Sequence, residues 1–307
     1  MKVLVATQKP FSAAAVSGIK NILTGAGHQV EVLENYAEQA DFEAVVADVD
    51  AIIIRSDKVT AEVIAAAPKL KIVVRAGAGY DNVDLEAASA ARIVVMNTPG
   101  QNANAVAELA IAMMIYMART QFTPSTGSEL LGKTVGIQAF GNVGRLVGQK
   151  ASALGMKVKA IDPFLPADKI VEGGAEPVVK LDELYSKCNY VSIHIPATPQ
   201  TVKSIGYDLI TKMPKGGVLV NTARKEVIDE AGLAKALEDR PDLKYATDVA
   251  PDNLAELKEK FGARVFATPK KMGAQTAEAN MNAGLAAANQ IVGFFADGCT
   301  RFQVNKF

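Results

Sequence analysis

Short β-branched runs alternate with alanine-rich stretches of helical periodicity along the chain. Lys2–Ala6, Val30–Leu33, Ala51–Arg55, Lys71–Arg75 and Ile93–Asn97 read as strands, with helices over Ser12–Gly25, Ala61–Ala67 and Leu85–Ala91 between them. The strands read as apolar on both faces, which predicts a parallel sheet covered by helices. Alternation of this kind predicts a doubly wound α/β sheet. A long apolar helix over Ala103–Arg119 follows, and the polar segment Pro124-Ser125-Thr126-Gly127-Ser128 reads as a connection. The pattern then restarts with strands at Thr134–Gln138, Lys157–Ile161, Tyr190–Ile195, Val218–Asn221, Tyr245–Asp248 and Val265–Ala267. Two α/β units in series are therefore expected. A last helix over Ala277–Ala296 is long enough to return to the first unit.

Composition narrows the function. The 307 residues suffice for two domains, and 49% of them are hydrophobic, so a sizeable core is available. Basic and acidic residues number 33 each, and the lysines are scattered. This argues against a nucleic-acid groove or a membrane-surface patch. Cys188 and Cys299 lie far apart, as suits a reducing compartment. The two histidines, His28 and His194, form no zinc-ligand cluster with them, so no metal is expected. The longest apolar stretch, Leu109–Ala118, falls well short of the roughly 20 residues that span a bilayer. The chain opens directly on a strand without a visible signal peptide, so a cytoplasmic protein is expected.

The second unit opens on Val135-Gly136-Ile137-Gln138, then Ala139-Phe140-Gly141-Asn142-Val143-Gly144. This resembles a strand, a tight turn and a helix start, with Ala139 in place of the first glycine of Gly-x-Gly-x-x-Gly. Gly141 would let the backbone approach a pyrophosphate, and Gly144 would let the helix pack on the strand. The pyrophosphate would sit on the helix N-terminus, where free N–H groups favour an anion. The motif alone is weak, but Asp162 ends the next strand. A carboxylate there accepts hydrogen bonds from ribose hydroxyls and repels a 2′-phosphate, which points to NAD rather than NADP. The alternative for Asp162 is a turn residue before Pro163.

Taken together, these residues and several others resemble the D-2-hydroxyacid dehydrogenases, over essentially the whole chain, and within them the phosphoglycerate branch. The resemblance is carried by Arg75-Ala76-Gly77-Ala78-Gly79-Tyr80-Asp81-Asn82-Val83-Asp84, by Asn97-Thr98-Pro99 with Asn102 and Val106-Ala107-Glu108-Leu109, and by Gly132–Ile137. His194-Ile195-Pro196, Asn221-Thr222-Ala223-Arg224 and Thr247-Asp248-Val249 complete it. The resemblance implies two Rossmann-like or flavodoxin-like domains. A discontinuous substrate domain would comprise 1–98 and 280–307, and an NAD-binding domain 99–279. It implies a homodimer built through the latter, for which the apolar Leu109–Ala118 gives an independent reason. No segment is long enough for the serine-sensing regulatory domain that many such enzymes carry.

Residue roles follow from the same resemblance. Ala78, Gly141, Asn142, Val143, Asp162, His194, Ile195, Pro196, Thr222, Ala223, Arg224, Asp248 and Gly273 would line the cofactor. The N–H groups around Ala78 and Gly79 would hold the substrate carboxylate, with Asn102 nearby. Arg55 and Ser56, with Lys58 assisting, would hold a substrate phosphate, which suits their chemistry. The alternative there is an exposed arginine at a capped strand end. Arg224 has a planar fork suited to orienting the acid and stabilising charge on its reacting oxygen.

The proton-transfer pair departs from the family pattern. Where the family keeps a glutamate and a histidine, this chain has Asn253 and Lys270-Lys271-Met272. His28 reads as a surface turn residue, and His194 as a packing or orienting group. A lysine base must lose its proton at working pH, and a carboxylate beside it would oppose this. A neutral Asn253, the charge of Arg224 and partial burial would favour it. Counting from Pro269 favours Lys270 and counting from Gly273 favours Lys271; the latter is preferred. The expected activity is NAD-dependent oxidation of D-3-phosphoglycerate. Competing readings are a glyoxylate, hydroxypyruvate or D-lactate dehydrogenase, and an inactive NAD-sensing protein that binds partner proteins.

Overall fold

The computed structural model describes residues 1–307. The chain divides into two compact units, Met1–Asn102 with Ala274–Phe307, and Ala103–Gly273. The boundaries differ from those read in the sequence, because 99–102 and 274–279 fall in the first unit. Local bonding explains this. Thr98 N–H donates to Gly77 O at 2.9 Å, tying the end of the last strand back to the first unit. Thr276 accepts from Ala279 N and caps a helix that is already under way at 279.

The first unit runs β1 (Lys2–Thr7), α1 (Ala13–Gly25), β2 (Gln29–Glu34), α2 (Gln39–Glu43), β3 (Ala51–Ile54), α3 (Ala61–Ala65), β4 (Ile72–Arg75), α4 (Leu85–Ala90) and β5 (Val94–Asn97). Its strands are all parallel, in the order β2-β1-β3-β4-β5. The period-2 alternation of strand side chains divides the core in two. Leu4, Ile52, Ile54 and Val73 pack with Phe42, Val63 and Ala88, while Val3, Val5, Ile53 and Val74 pack with Ile19, Leu23 and Ile291. Edge strand β2 departs from the expectation of two apolar faces. Its residues are exposed or half-buried, because only one neighbour and a partial cover reach it.

The second unit runs α5 (Ala103–Ala118), β6 (Thr134–Gln138), α6 (Asn142–Ala153), β7 (Lys157–Ile161), α7 (Ala167–Glu172), β8 (Glu176–Pro177), α8 (Leu181–Lys187), β9 (Tyr190–Ile193), α9 (Tyr207–Ile210), β10 (Val218–Asn221), α10 (Glu230–Asp239), β11 (Lys244–Thr247), α11 (Leu254–Phe261) and β12 (Val265–Ala267). The last helix, α12 (Ala277–Asp297), belongs to the first unit. The seven parallel strands of the second unit lie in the order β12-β11-β10-β9-β6-β7-β8. β8 escaped the sequence reading: it is two residues long and one is Pro177, which suits an edge.

Helix α5 corrects one inference. Nine of its sixteen residues, including Ile111, Met113, Met114 and Met117, are buried. They pack within the unit, on α6, β10 and β11. The apolar run therefore needs no second copy to cover it. No helix is long and apolar enough to cross a membrane.

Candidate active site

In the second unit the chain order reverses at β6, between β7 and β9. Open α/β sheets bind ligands outside the carboxyl ends of strands at such a point. The loop that leaves β6 there has the backbone a dinucleotide needs. Ala139, in the place of the first glycine, adopts the left-handed φ of +74° itself. That costs a residue with a Cβ about 1–2 kcal/mol. At Gly144 a Cβ would run into Ala139 O and lie 3.0 Å from Ile137 Cγ2, so α6 packs on β6 only with glycine there. At Gly141 a Cβ would meet nothing within 4 Å. This exposed glycine answers to no protein neighbour, and the volume above it is what a phosphate would fill. No side chain caps the first turn of α6, which begins at Asn142 and Val143 and leaves its N–H groups available to an anion.

Asp162 takes the turn role that the sequence offered as the alternative reading. Its Oδ2 accepts the Phe140 N–H and its Oδ1 the Phe164 N–H, each at 2.9 Å. It is therefore a turn residue and a clamp on the glycine loop. Each carboxylate oxygen retains a further lone pair for a ribose hydroxyl.

Further along, the strand ends gather the remaining residues of this unit. His194 is partly buried, and its Nε2 lies 2.9 Å from Ser192 Oγ. Burial pushes its imidazole down to about 3, so it is neutral at ordinary pH. Ile195 is buried beside it and Pro196 is exposed. Beyond β10, Asn221 takes the Ala223 N–H on Oδ1 and donates from Nδ2 to Arg224 O. This turn fixes the half-buried Arg224, whose Nη1 donates to Ala223 O at 2.9 Å. Thr222 Oγ1 and Asp248 Oδ1 are buried without a hydrogen-bond partner. Orphaned polar atoms at the ends of β10 and β11 are what an amide-bearing ligand would satisfy. These features fit a dinucleotide on this unit.

The lysine segment lies on the same strand ends. Asp248 Oδ2 accepts the Gly273 N–H at 2.7 Å. Burial pushes the Asp248 carboxyl up, and the Gly273 N–H and the charge of Lys271 oppose that. Lys270 is exposed, and its carbonyl is held by Thr268 Oγ1 at 2.8 Å. Lys271 is also exposed, which corrects the expectation of partial burial, and the charge it exerts on Asp248 places a carboxylate near it, which opposes rather than aids loss of its proton. Asn253 turns toward α10: its N–H donates to Glu230 Oε2 at 3.3 Å. Nor is His28 a simple surface residue, since it is half-buried with its ring 5.5 Å from Phe295.

In the first unit, Arg55 stands at the carboxyl end of β3 and Arg75 at that of β4. Arg55 donates from Nη1 to Lys9 O and Pro10 O and from Nη2 to Asn280 Oδ1 at 2.6 Å. Three of a guanidinium's five N–H groups are thus taken, leaving Nε–H and one on Nη2. Ser56 and Lys58 are exposed. The N–H groups of Ala78 and Gly79 are taken by no backbone acceptor, while Asn97 Nδ2 holds Ala78 O at 2.6 Å. Asn102 is half-buried at the end of this unit. Sequence reasoning passed over Arg75 as the first residue of a glycine loop. Its guanidinium lies where a Cβ on Gly77 would be, and Gly77 has φ +150°, so the glycine makes room for it.

A parallel sheet with a glycine loop and a free helix N-terminus at its switch point is that of a dinucleotide-binding domain. Residues 105–271 match the family described as "D-isomer specific 2-hydroxyacid dehydrogenase, NAD binding domain". The chain belongs to the D-isomer specific 2-hydroxyacid dehydrogenases, and its second unit holds their NAD-binding domain. It is 37% identical over 289 residues to D-3-phosphoglycerate dehydrogenase of Mycobacterium tuberculosis, covering 86% of this chain and 53% of that one. The chain thus spans about half the length of such relatives. It is 37% identical to hydroxypyruvate reductase of Thermotoga maritima over 282 residues, 86% of this chain and 90% of that one. The crystal structure of NAD+-bound 3-phosphoglycerate dehydrogenase of Entamoeba histolytica superposes with a TM-score of 0.91 at 50% identity, covering 100% of this chain and 99% of that one.

Proposed function

We propose that this protein oxidises D-3-phosphoglycerate to 3-phosphohydroxypyruvate with NAD, the first step of serine biosynthesis. The observation that carries the reading is the pair of arginines, Arg55 and Arg75, at adjacent strand ends of the first unit, beside N–H groups of Ala78 and Gly79 that lack a backbone acceptor. Guanidinium groups suit a phosphate, and a glycine-loop backbone suits a carboxylate. Names borne by relatives at 37% and 50% identity support the same substrate.

Gly141, Asn142, Val143 and Asp162 would hold NAD, which when bound would supply the hydride acceptor. The chain supplies orientation and proton transfer. Arg224 binds the acid and stabilises the charge that develops on its C2 oxygen. Lys271 takes the hydroxyl proton in oxidation and returns it in reduction. His194 stays neutral and packs beside the strand end. The chain pairs with a second copy through the NAD-binding unit.

A second reading, reduction of hydroxypyruvate or glyoxylate, is favoured by the internal engagement of Arg55 and by the relative of matching length. Steady-state kinetics separate the two: D-3-phosphoglycerate, D-glycerate and D-lactate with NAD, then glyoxylate and hydroxypyruvate with NADH. The first reading requires the phosphorylated acid to have the highest kcat/KM. A higher value for any unphosphorylated substrate would refute it.

A further inference from the structure

At the carboxyl edge of the first sheet, one buried carboxylate gathers the ends of three strands. Asp57 is 5% exposed. Its Oδ1 accepts the Gln8 N–H after β1 at 2.5 Å and the Tyr36 O–H after β2 at 2.6 Å. Its Oδ2 accepts the N–H of Arg55, at the end of β3, at 3.1 Å. The Asp57 carbonyl accepts from Asn82 Nδ2 at 2.6 Å, which brings in the loop after β4. Val59 and Asn82 continue that junction through a backbone hydrogen bond of 2.9 Å.

Asp57 in turn holds Arg55. Its N–H is held by Asp57, and its carbonyl by Arg75 Nε at 2.9 Å. With the backbone fixed at both ends, the side chain lies over Phe11, 5.1 Å from the ring centroid, and is anchored on Lys9, Pro10 and Asn280. Burial disfavours a charged guanidinium there, and the Asp57 carboxylate offsets part of that effect. The guanidinium is thus anchored by protein groups before any ligand arrives.

We infer that Asp57 is a positioning residue that presets Arg55 for an anionic group of the substrate and so sets selectivity for the phosphorylated acid. The inference rests on the reading of Arg55 as the phosphate partner. Asp57 itself is not a proton-transfer group: it is enclosed, and both its oxygens already accept from the chain. An asparagine has the same shape but fails electrically. Whichever way its amide turns, an N–H donor faces the Arg55 N–H or the Gln8 N–H and Tyr36 O–H. Preorganisation of this kind acts on binding, through the rotamer freedom that the ligand need not freeze.

The test is a kinetic cycle on the full chain with NAD, comparing D-3-phosphoglycerate with D-glycerate in Asp57→Asn, Tyr36→Phe, Arg55→Ala and Arg55→Ala/Asp57→Asn. Thermal melts confirm that each variant is folded. Asp57→Asn is expected to raise KM for the phosphorylated acid about tenfold more than for D-glycerate, the scale of one charge-assisted contact. Tyr36→Phe, which keeps the carboxylate, is expected to move the ratio the same way by less, and it carries the test if Asp57→Asn fails to fold. In the Arg55→Ala background, Asp57→Asn should leave the ratio where it is. Equal losses on both acids in Asp57→Asn and Tyr36→Phe, with the ratio still sensitive to Arg55→Ala, would overturn the role of Asp57 alone. A ratio indifferent to Arg55→Ala would instead overturn the phosphate reading beneath it.

Discussion

The Gly273 N–H donates to Asp248 Oδ2 at 2.7 Å, and this bond ties the segment bearing Lys271 to the end of β11. Lys271 is the lysine proposed to take the hydroxyl proton. Lys271→Ala should therefore lower turnover by roughly 10²–10⁴-fold, the usual contribution of general acid–base catalysis, with NAD affinity nearly unchanged. Oxidation needs the deprotonated amine, so the wild-type rate should climb with pH and fall on the acid side. Near wild-type turnover in both Lys271→Ala and Lys270→Ala would remove lysine from the chemistry.

The glycine loop offers a test that separates folding from binding. Gly141→Ala adds a methyl that meets nothing in the protein, so the melting temperature should hold while the Kd for NAD rises. Gly144→Ala drives a methyl into Ala139 O, and should cost about 1–3 kcal/mol, as overpacking does. Calorimetry on both variants decides the matter. If Gly141→Ala binds NAD like wild type, the pyrophosphate lies elsewhere.

Asp162 has two duties, and two variants part them. Asp162→Ala removes the acceptor of the Phe140 and Phe164 N–H groups as well as the charge. It should therefore weaken NAD binding and also narrow the preference over NADP. Asp162→Asn removes the charge but keeps one acceptor oxygen, so it should narrow the preference with a smaller loss of NAD affinity. Equal use of both cofactors by the wild-type protein would contradict the role given to this carboxylate.

His194 bears on stability at low pH. Its folded value of about 3 lies below the ordinary value of 6.5. Between the two, the unfolded chain binds a proton that the folded chain refuses, so stability falls as pH drops through 6.5 toward 3. Each pH unit in that window costs at most about 1.4 kcal/mol. His194→Gln should flatten this part of the profile in urea unfolding. An unchanged slope would show that the imidazole titrates near its ordinary value.

Much of this was legible in the chain itself, because strand alternation and glycine spacing are local. Thr134–Gln138, Lys157–Ile161, Val218–Asn221 and Val265–Ala267 lie where their β-branched runs place them. What escaped was set by distant partners. Asp57 reads as a loop residue until Gln8 and Tyr36 are brought to it from two other strand ends. Arg75 reads as part of a glycine loop until Gly77 is seen to make room for its guanidinium. The apolar α5 suggested a partner subunit, yet α6, β10 and β11 cover it. The proposed dimer would need other apolar surface, such as Phe122, 69% exposed, and Leu131, 68% exposed, in the connection that follows α5. Light scattering at micromolar concentration should give twice the monomer mass, and a monomer would count against pairing there.

The most direct measurement is the ratio of kcat/KM for D-3-phosphoglycerate to that for D-glycerate, followed by NADH formation with purified protein. Charge-assisted contacts to the phosphate contribute roughly 1.5–3 kcal/mol each, about ten- to a hundredfold. A ratio of at least that size is the expected result. A ratio near one, or NADH formed from D-glycerate but not from D-3-phosphoglycerate, would contradict it.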